Sequence, residues 1–319
     1  MTSTLTRRAL IGTTAAAAVG ALAACSSQDP LAPSSTAPAS SSTTSSSGAV
    51  VVKVGSARFA ESEIIAELYA QALEAHGVTV ERNLQIGARE VYLAAMADGS
   101  ITLVPEYSGN LLQFWDGATT ATTPEEVSAA LREKAPAGLR VLAPSPAEDK
   151  DSYCVTAAFA EKHGLRSLAD LATFDGTLRI AGNPELAQRP YGPAGLTKVY
   201  GVAADRIQFT PIDDGGGPLT VKALVDGDVD LADIYTTTPA IKENNLVVLE
   251  DPKNLIMPQN VVPLLAESVP STVEDRLNAV SAALTTDDLI AMNARSSGQE
   301  KASAATIAGD WLKEKGLIG

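Results

Sequence analysis

Val50-Val51-Val52-Lys53-Val54 runs straight into Gly55-Ser56-Ala57-Arg58-Phe59-Ala60-Glu61. A short β-branched run closed by Gly-Ser reads as a buried strand. Glu61 to His76 then reads as an amphipathic helix, and Thr79 to Ile86 as a second strand. Working outward, Arg89 to Ala97 reads as a helix and Ile101 to Tyr107 as a strand. Further strands are expected at 141–143, 153–157, 178–181, 207–211, 231–235 and 246–249. Helical stretches fall at 167–171, 196–200 and 219–225, and three helices close the chain. Such alternation predicts an α/β fold with largely parallel sheets. The strands are too many for one ordinary sheet, which favours two lobes with strands passing between them.

The chain ahead of Val50 reads differently. Arg7-Arg8 precedes an apolar run from Ala9 to Leu22 that ends in Leu22-Ala23-Ala24-Cys25. A basic start, a short apolar core and small residues describe an export signal. A spanning helix would need roughly 20 apolar residues. The Leu-Ala-Ala-Cys ending resembles a bacterial lipobox, which makes residues 1–24 the signal and Cys25 the lipidated residue. Thr6-Arg7-Arg8 resembles a twin-arginine signal. From Ser26 to Ser47 the chain is nearly all Ser, Thr, Ala and Pro, so residues 25–49 are expected to be a flexible tether. The expected location is the outer face of the cytoplasmic membrane, held by lipid alone.

Formal net charge is −14, and 45% of residues are hydrophobic. An acidic body repels phosphate backbones and anionic lipid, which argues against nucleic-acid binding. With Cys25 committed to lipid, Cys154 has no partner and reads as a small buried hydrophobe. His76 and His163 each precede a glycine at a helix end, where capping explains them. No P-loop, nucleophile elbow or zinc-protease pattern is present in the sequence, and no metal site, cofactor or catalytic residue is expected.

Ligands of α/β sheets bind beyond the carboxyl ends of strands. The residues standing there include Arg58, Tyr107, Asn110, Asp151, Tyr153, Arg189, Tyr191, Tyr235 and Thr236. Aromatic residues make up only 4% of the chain, yet tyrosine recurs at these loops. Tyrosine faces attract a cation that cannot hydrogen-bond, at about 0.5–2 kcal/mol per contact. Arg189 suits a carboxylate bidentately. Tyr69, Tyr92 and Tyr200 read as helix-packing residues and Tyr107 and Tyr235 as site residues. Position alone leaves Tyr153 and Tyr191 open.

Gly55-Ser56-Ala57-Arg58-Phe59-Ala60-Glu61 resembles the Gly-Ser-Lys-x-Phe-x-Glu opening of glycine betaine/choline/carnitine substrate-binding proteins. Val104-Pro105-Glu106-Tyr107-Ser108-Gly109 and Asp233-Ile234-Tyr235-Thr236-Thr237 are similar to two further motifs of that family, as is the stretch from Tyr191 to Gly201. The resemblance implies a two-lobed, hinged fold of the type II periplasmic-binding-protein kind, with a mainly parallel sheet in each lobe. It implies lobe I over 50–150 plus 239–319, lobe II over 151–238, and hinge strands near 148–152 and 237–244. It further implies an osmoprotectant receptor for an ABC permease and its ATPase, monomeric, without enzymatic activity.

A four-tyrosine cage for a quaternary ammonium solute carries over onto Tyr107, Tyr153, Tyr191 and Tyr235. Arg189 carries over as the carboxylate contact, Asp151 as a polar neighbour, and Asn110 where the family has threonine. Ala57 replaces the family lysine, with Arg58 beside it as its substitute, and Thr238 replaces a closing aspartate. Pro258-Gln259-Asn260 lacks an expected aromatic. Gly215-Gly216-Gly217 offers either a helix lead-in or backbone amides for an anion. The competing expectations are a sensory or scaffolding lipoprotein on the same fold, or a surface hydrolase using Glu106, Asp151 or Asp233.

Overall fold

The computed structural model describes residues 51–319; the export-signal segment, Cys25 and the whole tether lie outside the described residues. Ten strands build two five-stranded sheets. The first contains β1 (Val51–Ala57), β2 (Thr79–Gly87), β3 (Leu103–Tyr107), β4 (Leu139–Val141) and β10 (Val261–Ala266), in the order β2-β1-β3-β10-β4. The second contains β5 (Tyr153–Thr156), β6 (Leu178–Gly182), β7 (Ile207–Pro211), β8 (Leu231–Asp233) and β9 (Leu246–Val248), in the order β7-β6-β8-β5-β9. In each sheet four strands run the same way, as the alternation predicts, and one runs against them, β10 in the first and β5 in the second, so both sheets are mixed.

Each lobe has its own core because each sheet is apolar where helices cover it. Val52 and Val54 of β1 are fully buried, as an unbroken apolar run requires. The helix Ala60–Glu74 follows β1, and its Ile64, Ile65, Leu68, Tyr69 and Leu73 are fully buried. It is covered by the three closing helices, Glu274–Ala283, Thr286–Ser297 and Ala304–Glu314. In the second lobe Val155, Leu171, Ile180, Leu196 and Leu231 form the centre of the core. Cys154 is buried there, and burial pushes its thiol up to about 12, so it stays protonated and packs as an apolar side chain.

Two features depart from the sequence expectation. Strand β10, which the sequence reading passes over, is fully buried between β3 and β4. Its Pro263 reads as a strand breaker. In the sheet it stands opposite Pro105 of β3, so two residues without an N–H face one another. The second departure is where the chain returns to lobe I. After a short helix at Ala240–Glu243 it adds β9 to the edge of the second sheet, so the return lies between Val248 and Val261 rather than at 239.

The two crossings are residues 142–152 and 249–260. They run antiparallel and share backbone bonds: Asp149 N–H donates to Gln259 O at 3.1 Å, and Val261 N–H to Ala147 O at 3.0 Å. The second expected hinge, 237–244, is not a crossing. Thr236 instead braces the first one, its N–H donating to Lys150 O at 2.9 Å while its Oγ1 accepts from Lys150 N–H at 3.0 Å.

Candidate functional site

The parallel strands of both sheets aim their carboxyl ends at one cleft. Beyond β1 stand Arg58 and Phe59, beyond β2 Ala88 and Arg89, and at the end of β3 Tyr107. From the other lobe come Asn183 and Glu185 beyond β6, Asp213 beyond β7, and Asp233 and Tyr235 at the end of β8. This is the crevice that open α/β sheets offer a ligand. Its cavity volume is about 120 Å³, room for roughly eight to twelve waters. The occupant must be a small solute.

Of the nine residues expected to bind, seven line the cleft: Arg58, Tyr107, Asn110, Asp151, Arg189, Tyr191 and Tyr235. Two do not. Tyr153 is buried behind the wall, its hydroxyl donating to Tyr191 O at 2.9 Å, and so it props another tyrosine. Thr236 holds the crossing segment. Two further rings line the cleft that the sequence reading did not place in the cage: Phe59, and Tyr92, which reads as a packing residue because it sits on the helix Arg89–Ala97. Phe59 joins the lobes, its centroid 6.1 Å from that of Tyr107 and 5.6 Å from that of Tyr235. Burial pushes the phenols of Tyr107, Tyr191 and Tyr235 well above their ordinary range, so all three rings stay neutral.

The phenol oxygens are fixed by partners. Tyr107 donates to Glu61 Oε1 at 2.7 Å, Tyr92 donates to Glu106 Oε1 at 2.7 Å, and Tyr235 accepts from Asn183 Nδ2 at 3.0 Å. Asn110 is fixed too. The Gln259 side chain accepts from its N–H at 2.9 Å and donates to its Oδ1 at 2.7 Å, leaving Asn110 Nδ2 to donate to Asp151 Oδ2 at 2.7 Å. Gln259 thus occupies, with a positioning amide, the loop where the resemblance implied an aromatic.

Every arginine on the wall has a carboxylate partner. Arg89 and Glu106 form a buried bidentate pair at 2.8 and 2.9 Å. Arg189 Nη1 lies 3.0 Å from Glu90, and Arg58 Nη2 lies 2.6 Å from Asp213. The last two pairs join one lobe to the other. Arg189 and Arg58, expected to meet a ligand carboxylate, are therefore engaged across the cleft mouth. Two amides of the triple glycine are taken, Gly215 N–H donating to Asn183 Oδ1 at 2.9 Å and Gly217 N–H to Asp214 Oδ1 at 3.1 Å, and Asp214 also accepts from the N–H groups of Leu219 and Thr220 at 2.6 and 3.1 Å, capping the helix Pro218–Val225.

The crossing and the cleft floor hold closely set acids. Burial raises Asp149 well above the carboxylate range, reinforced by the neighbouring charge of Glu61. Burial and then Asp151 do the same for Asp233. A carboxyl raised in the folded state contributes stability that is complete below the unfolded value and lost as pH rises through the folded one. Denaturant midpoints of the ligand-free chain are therefore expected to fall from mildly acidic to mildly alkaline pH. The slope is about 1.4 kcal/mol per pH unit for each proton lost. A midpoint that rises over that interval would contradict the assignment.

Residues 50–314 match the family model described as the substrate-binding domain of ABC-type glycine betaine transport systems. The chain is 29% identical over 277 residues to the glycine betaine-binding protein YehZ of Escherichia coli, covering 83% of this chain and 90% of that one. It is 25% identical over 289 residues to a glycine-betaine-binding protein of Pseudomonas aeruginosa, covering 85% and 89%. The crystal structure of a glycine betaine/carnitine/choline ABC transporter superposes with a TM-score of 0.67 at 19% identity, over 84% of this chain and all of that one. That likeness bears on the fold, which is the two-lobed type II arrangement. The chain belongs to the family of substrate-binding domains of ABC-type glycine betaine transport systems.

Proposed function

We propose that this chain captures a quaternary ammonium solute of the glycine betaine, choline or carnitine type between its lobes and hands it to an ABC permease. The observation that carries the reading is one small cleft ringed by neutral aromatic faces from both lobes. Phe59 and Tyr107 come from one side, Tyr191 and Tyr235 from the other, and Tyr92 and Tyr153 stand beside and behind them. A trimethylammonium group has no N–H to donate, so ring faces are its natural partners. A ligand touching rings of both lobes favours the closed state, because only there does it meet all of them. Arg58–Asp213 and Arg189–Glu90 act as latches at the mouth.

In this reading a lipid on Cys25, behind the export signal, holds the receptor at the extracytoplasmic face of the cell membrane, where it serves its permease as a monomer. Among the described residues no helix is long and apolar enough to cross a membrane. Calorimetric titration with choline, glycine betaine, carnitine and a neutral sugar tests the reading. Saturable binding of a quaternary amine is expected, and none of the sugar. Tyr107→Ala and Tyr235→Ala are each expected to weaken that binding at least tenfold, about 1.4 kcal/mol. Unchanged affinity in both variants would dismiss the cage.

A further inference from the structure

Asp151 and Asp233 stand together in the wall of the cleft. Both are nine-tenths buried or more, at 8% and 2% exposure, and Tyr153, two residues beyond Asp151, pairs with Asp233 across the β5–β8 ladder. Burial, and then the neighbouring Asp151, holds the carboxyl of Asp233 well above the ordinary carboxylate range. Asn110 Nδ2 holds Asp151 Oδ2 at 2.7 Å. Asp233 Oδ1 is buried without a hydrogen-bond partner among the described residues. A buried carboxyl oxygen beside a cavity with no donor is costly unless something of opposite polarity arrives.

We infer that Asp233, with Asp151 beside it, is the acid of the cleft that selects a ligand of net positive charge and makes its affinity rise with pH. The inference rests on the tyrosine-cage reading and narrows it to the choline type, a cation without a carboxylate. The charges around the pair agree. From lobe I, Arg89 and Arg58 face the cleft, with Tyr92 and Tyr107 beside them; both cations are already engaged, by Glu106 and Asp213. From the crossing comes Asp149, sharing its surroundings with Glu61. From lobe II come Glu185 and Arg189, the latter held by Glu90, and the neutral rings of Tyr153, Tyr191 and Tyr235. A zwitterion would bring a carboxylate into a wall already rich in acids, with no free guanidinium to receive it.

The sign follows from linkage. A bound cation favours the ionised form of a nearby carboxyl, so Asp233 holds its proton less tightly when the cage is full. Binding therefore releases a fraction of a proton wherever Asp233 of the empty site is still protonated. Affinity for the cation climbs with pH over that range, by up to about tenfold per unit. Above it the dependence vanishes.

The test is calorimetric titration of the full chain with choline and with glycine betaine at several values from about pH 5 to 9, in buffers of unequal ionisation enthalpy. Proton release on choline binding, rising choline affinity, and weaker glycine betaine binding near neutrality are expected. Asp233→Asn, checked for folding by its melting curve, is expected to abolish the proton release and flatten the profile. Asp151→Asn is the second variant for the same readout. Choline affinity independent of pH, or glycine betaine bound more tightly than choline near neutrality, would overturn the inference and leave the cage standing. So would a profile that survives Asp233→Asn and Asp151→Asn but is lost in Asp149→Asn. Failure of both ligands to bind at any pH would remove the cage reading, and this inference with it.

Discussion

Glu106→Ala is expected to destabilise the chain by about 3–5 kcal/mol, the cost of leaving a buried charge without its partner. Glu106 is fully buried in the middle of β3, and one carboxylate satisfies four donors. Arg89 reaches it through two N–H groups, Tyr92 through its hydroxyl, and the N–H of Tyr107 at 2.9 Å. Truncation strands a guanidinium that is only 8% exposed and frees two tyrosines of the cleft wall at once. Urea unfolding reads the loss. Replacing both partners, Arg89→Met with Glu106→Leu, is expected to recover much of it, because no charge is then left buried. The remaining deficit belongs to the Tyr92 hydroxyl and the Tyr107 N–H, each unsatisfied at about 1–3 kcal/mol. A single variant losing under ~1 kcal/mol would mean that Arg89 finds water or another acceptor.

The second large effect concerns a glycine with ordinary dihedrals. A Cβ on Gly192 would lie 1.9 Å from Leu186 O, and one on Gly195 would lie 2.1 Å from Pro190 O. Neither contact involves a flexible side chain, so the backbone itself must move. The segment that moves, 184–192, carries Glu185, Arg189 and Tyr191 into the cleft. Gly192→Ala is therefore expected to cost about 1–3 kcal/mol, as overpacking does. It should also weaken ligand binding by tenfold or more, about 1.4 kcal/mol. Gly117→Ala is the control: its nearest neighbour would be Gln113 O at 3.7 Å, and its effect should stay within about 0.5 kcal/mol. Unfolding and titration of the two variants separate local strain from loss of the site.

What could be read from the chain alone follows physical lines. Local periodicity announced β1, the helix after it, β2 and the three closing helices, because each is fixed by burial of its own face. Strand β10 was illegible because Pro263 is tolerated only opposite Pro105, a fact of tertiary pairing. The turn back to the first sheet is hidden for the same reason: a strand is legible at 246–249, but its pairing with β5 decides which sheet it joins. In the site, Tyr107 and Tyr235 stand where strand ends put them, whereas Tyr191 lies past the short helix Pro184–Gln188, where position alone leaves it open. Tyr92 did not announce itself, because a helical position gives no hint of which cavity it borders. Glu106 was the available signal for the buried pair: a carboxylate inside the otherwise apolar run from Leu103 to Tyr107 requires a cation nearby. The arginines were assigned by type, and only geometry shows that Glu90, Glu106 and Asp213 engage them.

The place of β10 between β3 and β4 bears on how the chain is made. Everything from β5 to β9 is an uninterrupted stretch that can collapse as soon as it is synthesised. The first sheet has no such freedom. β4 pairs only with β10, and β3 lacks its antiparallel neighbour until residue 266 has appeared. The early-made lobe is thus the late-finished one, with β3 open along one side while more than a hundred further residues are added. An unpaired apolar strand is an aggregation template. A chain assembled in this order is safest either held unfolded until all of it has been made or left alone until β10 has closed the gap.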